Sequence, residues 1–311
     1  MLRSGFGTDK ARGSANVLSK RTIVDRYPSV RRAFNSFPEF YLASTTYTSN
    51  FAVLSDSGGT TVASIWNNLF SDSQHLRQLT PASCPVLNTA ASLRGNGPLQ
   101  FLVNDSMETL TSFPATYTGV TYIVLFEYAS TTNPDQNVIQ EYEFAQSAPS
   151  NRGGGISFYA DSTTLPKPPG AGTMRNYMSW FRNIAGQNTS QALNMGVGPP
   201  FFDNNTIQFA IVQKSLDTSG AAGDETITYT IKDEDLNAET MTIDRTTVWP
   251  PDSVADWTGD YATSFPGAKT FLRLATNSED LSYYAVLVYN DFLEDEDLSK
   301  IVSMIKTMYG I

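Results

Sequence analysis

From Phe37 onward, apolar residues either alternate with polar ones or cluster in short runs. Runs with a period of two, or unbroken apolar runs of about four to eight residues, predict strands. They fall at 39–42, 99–103, 121–128, 138–144, 156–160, 206–213, 225–231, 240–244, 270–274 and 283–289. Roughly ten strands of this length imply two packed sheets. Turn formers separate them: Ser57-Gly58-Gly59, Gly95-Asn96-Gly97-Pro98, Gly153-Gly154-Gly155, Lys167-Pro168-Pro169-Gly170, Gly198-Pro199-Pro200 and Gly220-Ala221-Ala222-Gly223. No repeat of fixed period interrupts this pattern.

Two of the runs differ in kind. Tyr122 to Phe126 is nearly continuous in apolar character, which predicts a central strand, either covered on both faces or at the middle of a curved sheet. In TIQFAIVQ, Ile207, Phe209 and Ile211 alternate with Gln208 and Ala210, which predicts a strand with one wet side.

The pattern changes once, at the end. Leu298, Ile301, Val302, Ile305, Met308 and Tyr309 recur at three- and four-residue intervals and form one apolar stripe of a helix. Glu294 to Asp297 stand at its start, where negative charge meets the positive end of the helix dipole, and Gly310 can end it in the left-handed conformation. A helix of about four turns is marginal alone, so the stripe is expected to lie on the sheets as a latch. The acidic run lacks the D-x-[DN]-x-[DN]-G spacing of a calcium loop.

Charge divides the chain in two. Residues 1–32 hold Arg3, Lys10, Arg12, Lys20, Arg21, Arg26, Arg31 and Arg32 against Asp9 and Asp25, a net of about +6. The remainder carries about −16 on the same count, for −10 overall. Leu2, Phe6, Val17, Leu18, Ile23 and Val24 are too few for a core, so residues 1–34 are expected to be an extended basic arm and 35–311 a sandwich domain. Three roles are open to the arm: binding nucleic acid, docking on a partner in an assembly, or wrapping its own acidic domain. Docking is favoured, because no aromatic interleaving or nucleic-acid motif accompanies the charge.

Several chemistries lack their residues. A single cysteine, Cys84, makes no intrachain disulfide, and with one histidine, His75, a zinc site is not expected. His75 lacks the nucleophile context that a Ser-His-Asp mechanism requires. No run of 18 apolar residues occurs, so no helical membrane span is expected. The first 21 residues have no apolar core of a secretory signal, which points to synthesis in a cytoplasm.

The ending Tyr289-Asn290, Leu293-Glu294-Asp295-Glu296-Asp297-Leu298 and Tyr309-Gly310-Ile311 resembles that of laminin-G-like jellyroll domains, in the concanavalin A-like lectin/glucanase superfamily. The front resembles them too: Phe40-Tyr41-Leu42-Ala43, then Val62-Ala63-Ser64-Ile65-Trp66-Asn67-Asn68, Leu76 to Leu79 and Pro85, then Leu99, Phe101, Asp105 and Leu110. Leu69-Phe70-Ser71-Asp72 replaces the glycine usual after the Trp-Asn segment. The resemblance spans about 37–311, with 145–270 supported by strand pattern alone. It implies an all-β, antiparallel sandwich jellyroll with a C-terminal amphipathic helix.

Glucanases of that superfamily carry E-x-D-x-(x)-E on one strand, since two carboxylates must flank the scissile bond. Glu141-Tyr142-Glu143 lacks the third acid, and Asp233-Glu234-Asp235 is expected in a turn. The expectation is therefore a non-enzyme without cofactor or metal. Lectin-like sites stack sugars on aromatic rings and bind hydroxyls with amides and carboxylates. Trp180, Trp249, Trp257 and Tyr261, with Asp203, Asn204 and Asn205 in the 201–205 loop, are the candidates. Laminin-G-like modules with a short arm also resemble bacteriophage structural parts. The resemblance implies a virion protein of the decoration, collar, baseplate or fibre kind, made in the host cytoplasm and oligomeric in its assembly. Its arm would meet other virion proteins and its jellyroll host-surface glycans. The alternatives are a stand-alone lectin and, less favoured, a glycoside hydrolase.

Overall fold

The near-continuous apolar run becomes strand β8 (Gly119–Tyr128), in which every residue but Glu127 is buried. Side chains alternate across a strand, so both faces of β8 are covered, and the rest of the architecture shows by what. The computed structural model describes residues 40–43, 51–55, 59–68, 75–88, 93, 97–102, 104–109, 119–129, 136–143, 153–161, 173–184, 187–194, 202–203, 205–217, 226–244, 270–275, 280–289 and 291–311. The basic arm, residues 1–34, lies outside them.

The fold is an all-β antiparallel sandwich of jellyroll type with one C-terminal helix among the described residues. In one sheet β18 (Leu281–Tyr289) carries β8 along one edge, with β1 (Phe40–Ala43) and β6 (Leu99–Phe101) sharing the other. Beyond β8 follow β14 (Gln208–Asp217), β15 (Thr226–Lys232) and β16 (Ala238–Asp244). The second sheet runs through β4 (Leu76–Arg77), β7 (Met107–Thr109), β17 (Thr270–Leu274), β9 (Gln136–Glu143), β10 (Gly153–Asp161), β11 (Thr173–Ile184) and β12 (Gln187–Asn194). β13 (Phe202–Asp203) pairs with the start of β11. The corner is β3 (Thr61–Trp66), paired with β2 (Phe51–Ser55): one end of β3 joins β4 and the other joins β5 (Val86–Leu87), which leads back to β6.

Two apolar clusters follow from this layering. Val120, Tyr122, Val124, Phe126 and Tyr128 of β8 join Ile139, Leu272, Leu274 and the fully buried Trp66 between the sheets. Ile123 and Leu125, on the opposite face, join Phe209, Ile211, Ala285 and Leu287 beneath the helix α1 (Asp295–Tyr309). The expected stripe of α1 is buried there, with Met304 added to it. Burying one such side chain is worth roughly 1.5–3 kcal/mol before entropy is counted. Glu294 caps the helix through its carbonyl, which accepts from Asp297 and Leu298 N–H at 3.0 Å each. Gly310 ends it at φ 76°, a left-handed conformation that glycine adopts without penalty.

Several polar groups beneath α1 are satisfied from within, while Gln213 Oε1 and the Tyr289 hydroxyl are buried without a hydrogen-bond partner among the described residues. Thr121 Oγ1 donates to the Asp291 carbonyl (2.8 Å) and accepts from Leu293 N–H (3.1 Å) and Gln213 Nε2 (3.2 Å). Gln213 Nε2 also donates to the Leu293 carbonyl at 2.7 Å. The turn between β18 and α1 is thereby pinned to the sheet. Gly119 lets it come close, since a Cβ there would stand 2.7 Å from the backbone nitrogen of Phe292.

Two expectations are corrected. Strand 206–213 has no wet side: Gln208, Ala210 and Gln213 are buried, because α1 covers one face and the second sheet the other. Gly153-Gly154-Gly155 is no turn; it opens β10, opposite Asn183, Arg182 and Phe181, because ladder pairing outweighs the poor strand propensity of glycine.

If α1 holds the sheet closed, Ile305→Ala lowers the unfolding free energy by about 2–5 kcal/mol in urea titration. Ser303→Ala on the exposed side of the same helix changes it by less than about 0.5 kcal/mol. Gly119→Ala costs on the order of 1–3 kcal/mol through displacement of the pinned turn.

Candidate functional site

The strand register collects an unusual set of turns at one end of the sandwich. β6 ends there, since Phe101 pairs with Leu281 at the start of β18, and β8 ends there, since Tyr128 pairs with the same residue. β14 begins there beside Phe126, β15 ends beside the start of β14, and β17 ends beside Met107. The turns at these strand ends contain Asn104, Asn205, Leu236, Ala275 and Asp280, with φ of 70°, 58°, 64°, 55° and 54°. They are the only non-glycine residues at positive φ among the described ones. Asn and Asp tolerate this region better than other side chains, whereas Leu and Ala do so at a cost. Such conformations persist where the surroundings enforce them, and they gather at functional loops.

Each turn has its own fastening. Asn205 N–H donates to the Tyr128 carbonyl (2.8 Å), and Ala129 N–H donates to that of Asp280 (3.0 Å). Asp233 Oδ1 accepts from the N–H groups of Asp235 and Asn237 (2.9 Å each) and so builds the β15–β16 turn, where 233–235 was expected to lie. Asp105 Oδ2 accepts from Leu102 N–H at 2.8 Å, with Asn104 between them. Asp105 is only 5% exposed, and burial pushes its carboxyl up to about 6 against the opposing pull of Leu102 N–H.

The nearby thiol and the lone imidazole serve the structure. Cys84 Sγ donates to the carbonyls of Gln78 and Thr80 at 3.3 Å each, and burial, then the Asp105 charge, raises its pKa. A thiol held protonated is a poor nucleophile. His75 Nδ1 accepts the Asn68 N–H at 3.0 Å. Among the described residues no group of three or more His, Cys, Asp and Glu is placed to hold a metal, and no helix is long and apolar enough to cross a membrane.

Of the expected sugar-binding residues, Asn205 lies exposed in this loop end, and Asp203 sits two residues before it in β13, paired with Thr173. Trp180 stands on β11, in register between Ile156 of β10 and Gln191 of β12. Trp257, Tyr261 and Asn204 lie outside the described residues, as do Trp249 and all eight basic residues of the arm. Glu141 and Glu143 occupy alternate positions of β9, opposite Leu272 and Thr270. Sequence reading missed Asn104 and Asp280 and took Asp105 only as part of a motif. The Asn104-Asp105 pair directly after an apolar run is a turn signal that would have found Asn104 and the turn role of Asp105, though not Asp280.

The chemistry of this loop end is amide and carboxylate hydrogen bonding. Ionised Asp105 opposes folding: its contribution to stability is fully present below the unfolded pKa of 3.8 and is lost as pH rises through about 6. Asp105→Asn keeps an acceptor for Leu102 N–H and removes the titration. Urea titrations across this window should show the variant gaining on wild type up to about pH 6, with a constant difference above it.

No family model and no curated protein sequence matches the chain. Solved structures resemble it weakly. Peanut lectin in complex with a nine-residue peptide aligns at 10% identity and TM-score 0.34, covering 82% of this chain and 94% of that one. The Ca²⁺- and Man3GlcNAc-bound exoplasmic domain of VIP36 aligns at 12% identity and TM-score 0.37, covering 82% and 90%. Tailspike protein 2 of an Escherichia coli O157:H7 bacteriophage aligns at 8% identity and TM-score 0.41, covering 85% of this chain and 27% of that one.

Proposed function

We propose that the protein is a non-enzymatic structural component of a bacteriophage particle, anchored through residues 1–34 and displaying a lectin-like jellyroll to surface glycans. The observation that carries this reading is the charge division: about +6 in residues 1–32 against about −16 in the remainder. A basic segment with too few apolar residues to form a core is suited to ordering on an acidic protein surface. The sandwich supplies a rigid support, and the loop end with Asn104, Asn205 and Asp280 supplies groups that bind hydroxyls.

The second reading, a stand-alone lectin, is favoured by that loop end alone and requires no role for the basic segment. Deleting residues 1–34 separates the two. Under the particle reading the deletion abolishes incorporation into particles while glycan binding persists; undiminished incorporation would sink the anchoring role. On a glycan array, Asn205→Gly keeps the left-handed backbone that φ 58° requires and removes only the amide. Specific binding should fall at least about tenfold, a loss of about 1.4 kcal/mol, with unchanged melting. Equal binding by both forms would remove the loop end from the site.

A further inference from the structure

We infer that a groove between α1 and the β15–β16 turn is the docking site of the chain's own basic segment, residues 1–34. The groove encloses about 650 Å³. Leu236, Val302, Ser303, Thr307, Glu234 and Asp235 are among the residues that line it. Thr307 Oγ1 donates to the Ser303 carbonyl (2.8 Å), and about two turns earlier Ser299 Oγ donates to the Asp295 carbonyl (2.9 Å). A hydroxyl that already donates in this way meets any further group as an acceptor. With Glu234 and Asp235 in its lining and the C-terminal end of α1 there too, where the helix dipole is negative, the groove suits donor-rich cations. Lys306, 3.6 Å from Glu234 Oε1, offsets one of those charges.

The wider face has the same sign. Asp233 to Asp235 at one end of α1 and Glu294 to Asp297 at the other stand against three lysines: Lys232, on Asp295; Lys300, on Glu296 and Asp297; and Lys306. A path along the helix thus passes from acids, over hydroxyls, to acids again.

The place where the basic segment leaves the sandwich fits this path. Phe40, the first residue of β1, pairs with Val288, and β18 turns into α1 at Asp295. Paired strands lie about 4.8 Å apart, so the segment departs beside the start of α1. α1 has 15 residues and is about 22 Å long. The 39 residues before Phe40 span up to about 130 Å when extended, far more than the groove requires. Tethering of this kind gives an effective concentration on the order of millimolar, so a weak charge-complementary contact suffices. A partner in an assembly would have to displace the segment from this groove. The inference does not depend on what that partner is.

Limited trypsin digestion of the full chain, freed of nucleic acid and followed by mass at the N-terminus, tests it. Cleavage after Lys20, Arg21 and Arg26 should be slow in wild type. It should be about tenfold faster in Asp235→Lys and in Ser303→Trp, which fills the groove, and in salt on the order of 0.5 M. Both variants alter surface positions, and equal melting temperatures exclude unfolding as the cause. Equal cleavage of wild type and both variants would overturn the inference. Protection that rises with protein concentration would overturn it too, by assigning the groove to the segment of a second copy.

Discussion

The sheet β18–β8–β14 is dry on both faces, and much of the molecule follows from that constraint. Water cannot satisfy a polar group placed there, so a partner has to come from inside; among the described residues Gln213 Oε1 and the Tyr289 hydroxyl are the exceptions. Thr121 is satisfied completely: its hydroxyl donates once and accepts twice, and all three bonds fasten the β18–α1 turn or the side chain that supports it. Tyr283 crosses from β18 to the Val138 carbonyl of β9 and so ties one sheet to the other. Tyr309 of α1 donates to the Tyr284 carbonyl and meets the Tyr284 ring edge-on at 5.9 Å. The helix is thus fixed by a few directional bonds set within a large apolar contact.

Committing both faces of that sheet to burial moves the available chemistry to the ends and to the outer side of α1. The two ends differ. One carries five left-handed turns, fastened by Asp105, Asp233 and backbone bonds across strand ends. The other is where α1 begins, with its acids beside the point at which the basic segment joins β1. Beside α1 runs a groove whose lining includes hydroxyls and carboxylates. A body of this charge and a segment of the opposite charge attract one another.

The sequence showed most of what has a period. Each of the ten runs expected to be strands contains a strand, and the terminal helix has the expected stripe, acidic start and left-handed glycine. Short strands were invisible, because two residues such as Leu76-Arg77 or Val86-Leu87 cannot display an alternation. β11, TMRNYMSWFRNI, was missed because its polar and apolar residues follow no simple rule, and pairing with β10 and β12 holds it extended instead. Asn205 was legible as a loop amide, but its left-handed conformation and its bond to Tyr128 were not.

By itself, then, the sequence determined the all-β class, the latch and the charge division, because periodicity and composition are local properties that survive without knowledge of neighbours. Only the tertiary structure decided that Gln213 is buried, that three glycines open a strand, and that five scattered turns meet at one end. Each of these depends on contacts between residues far apart in the chain: a glutamine becomes a core residue only where a carbonyl such as that of Leu293 lies across from it.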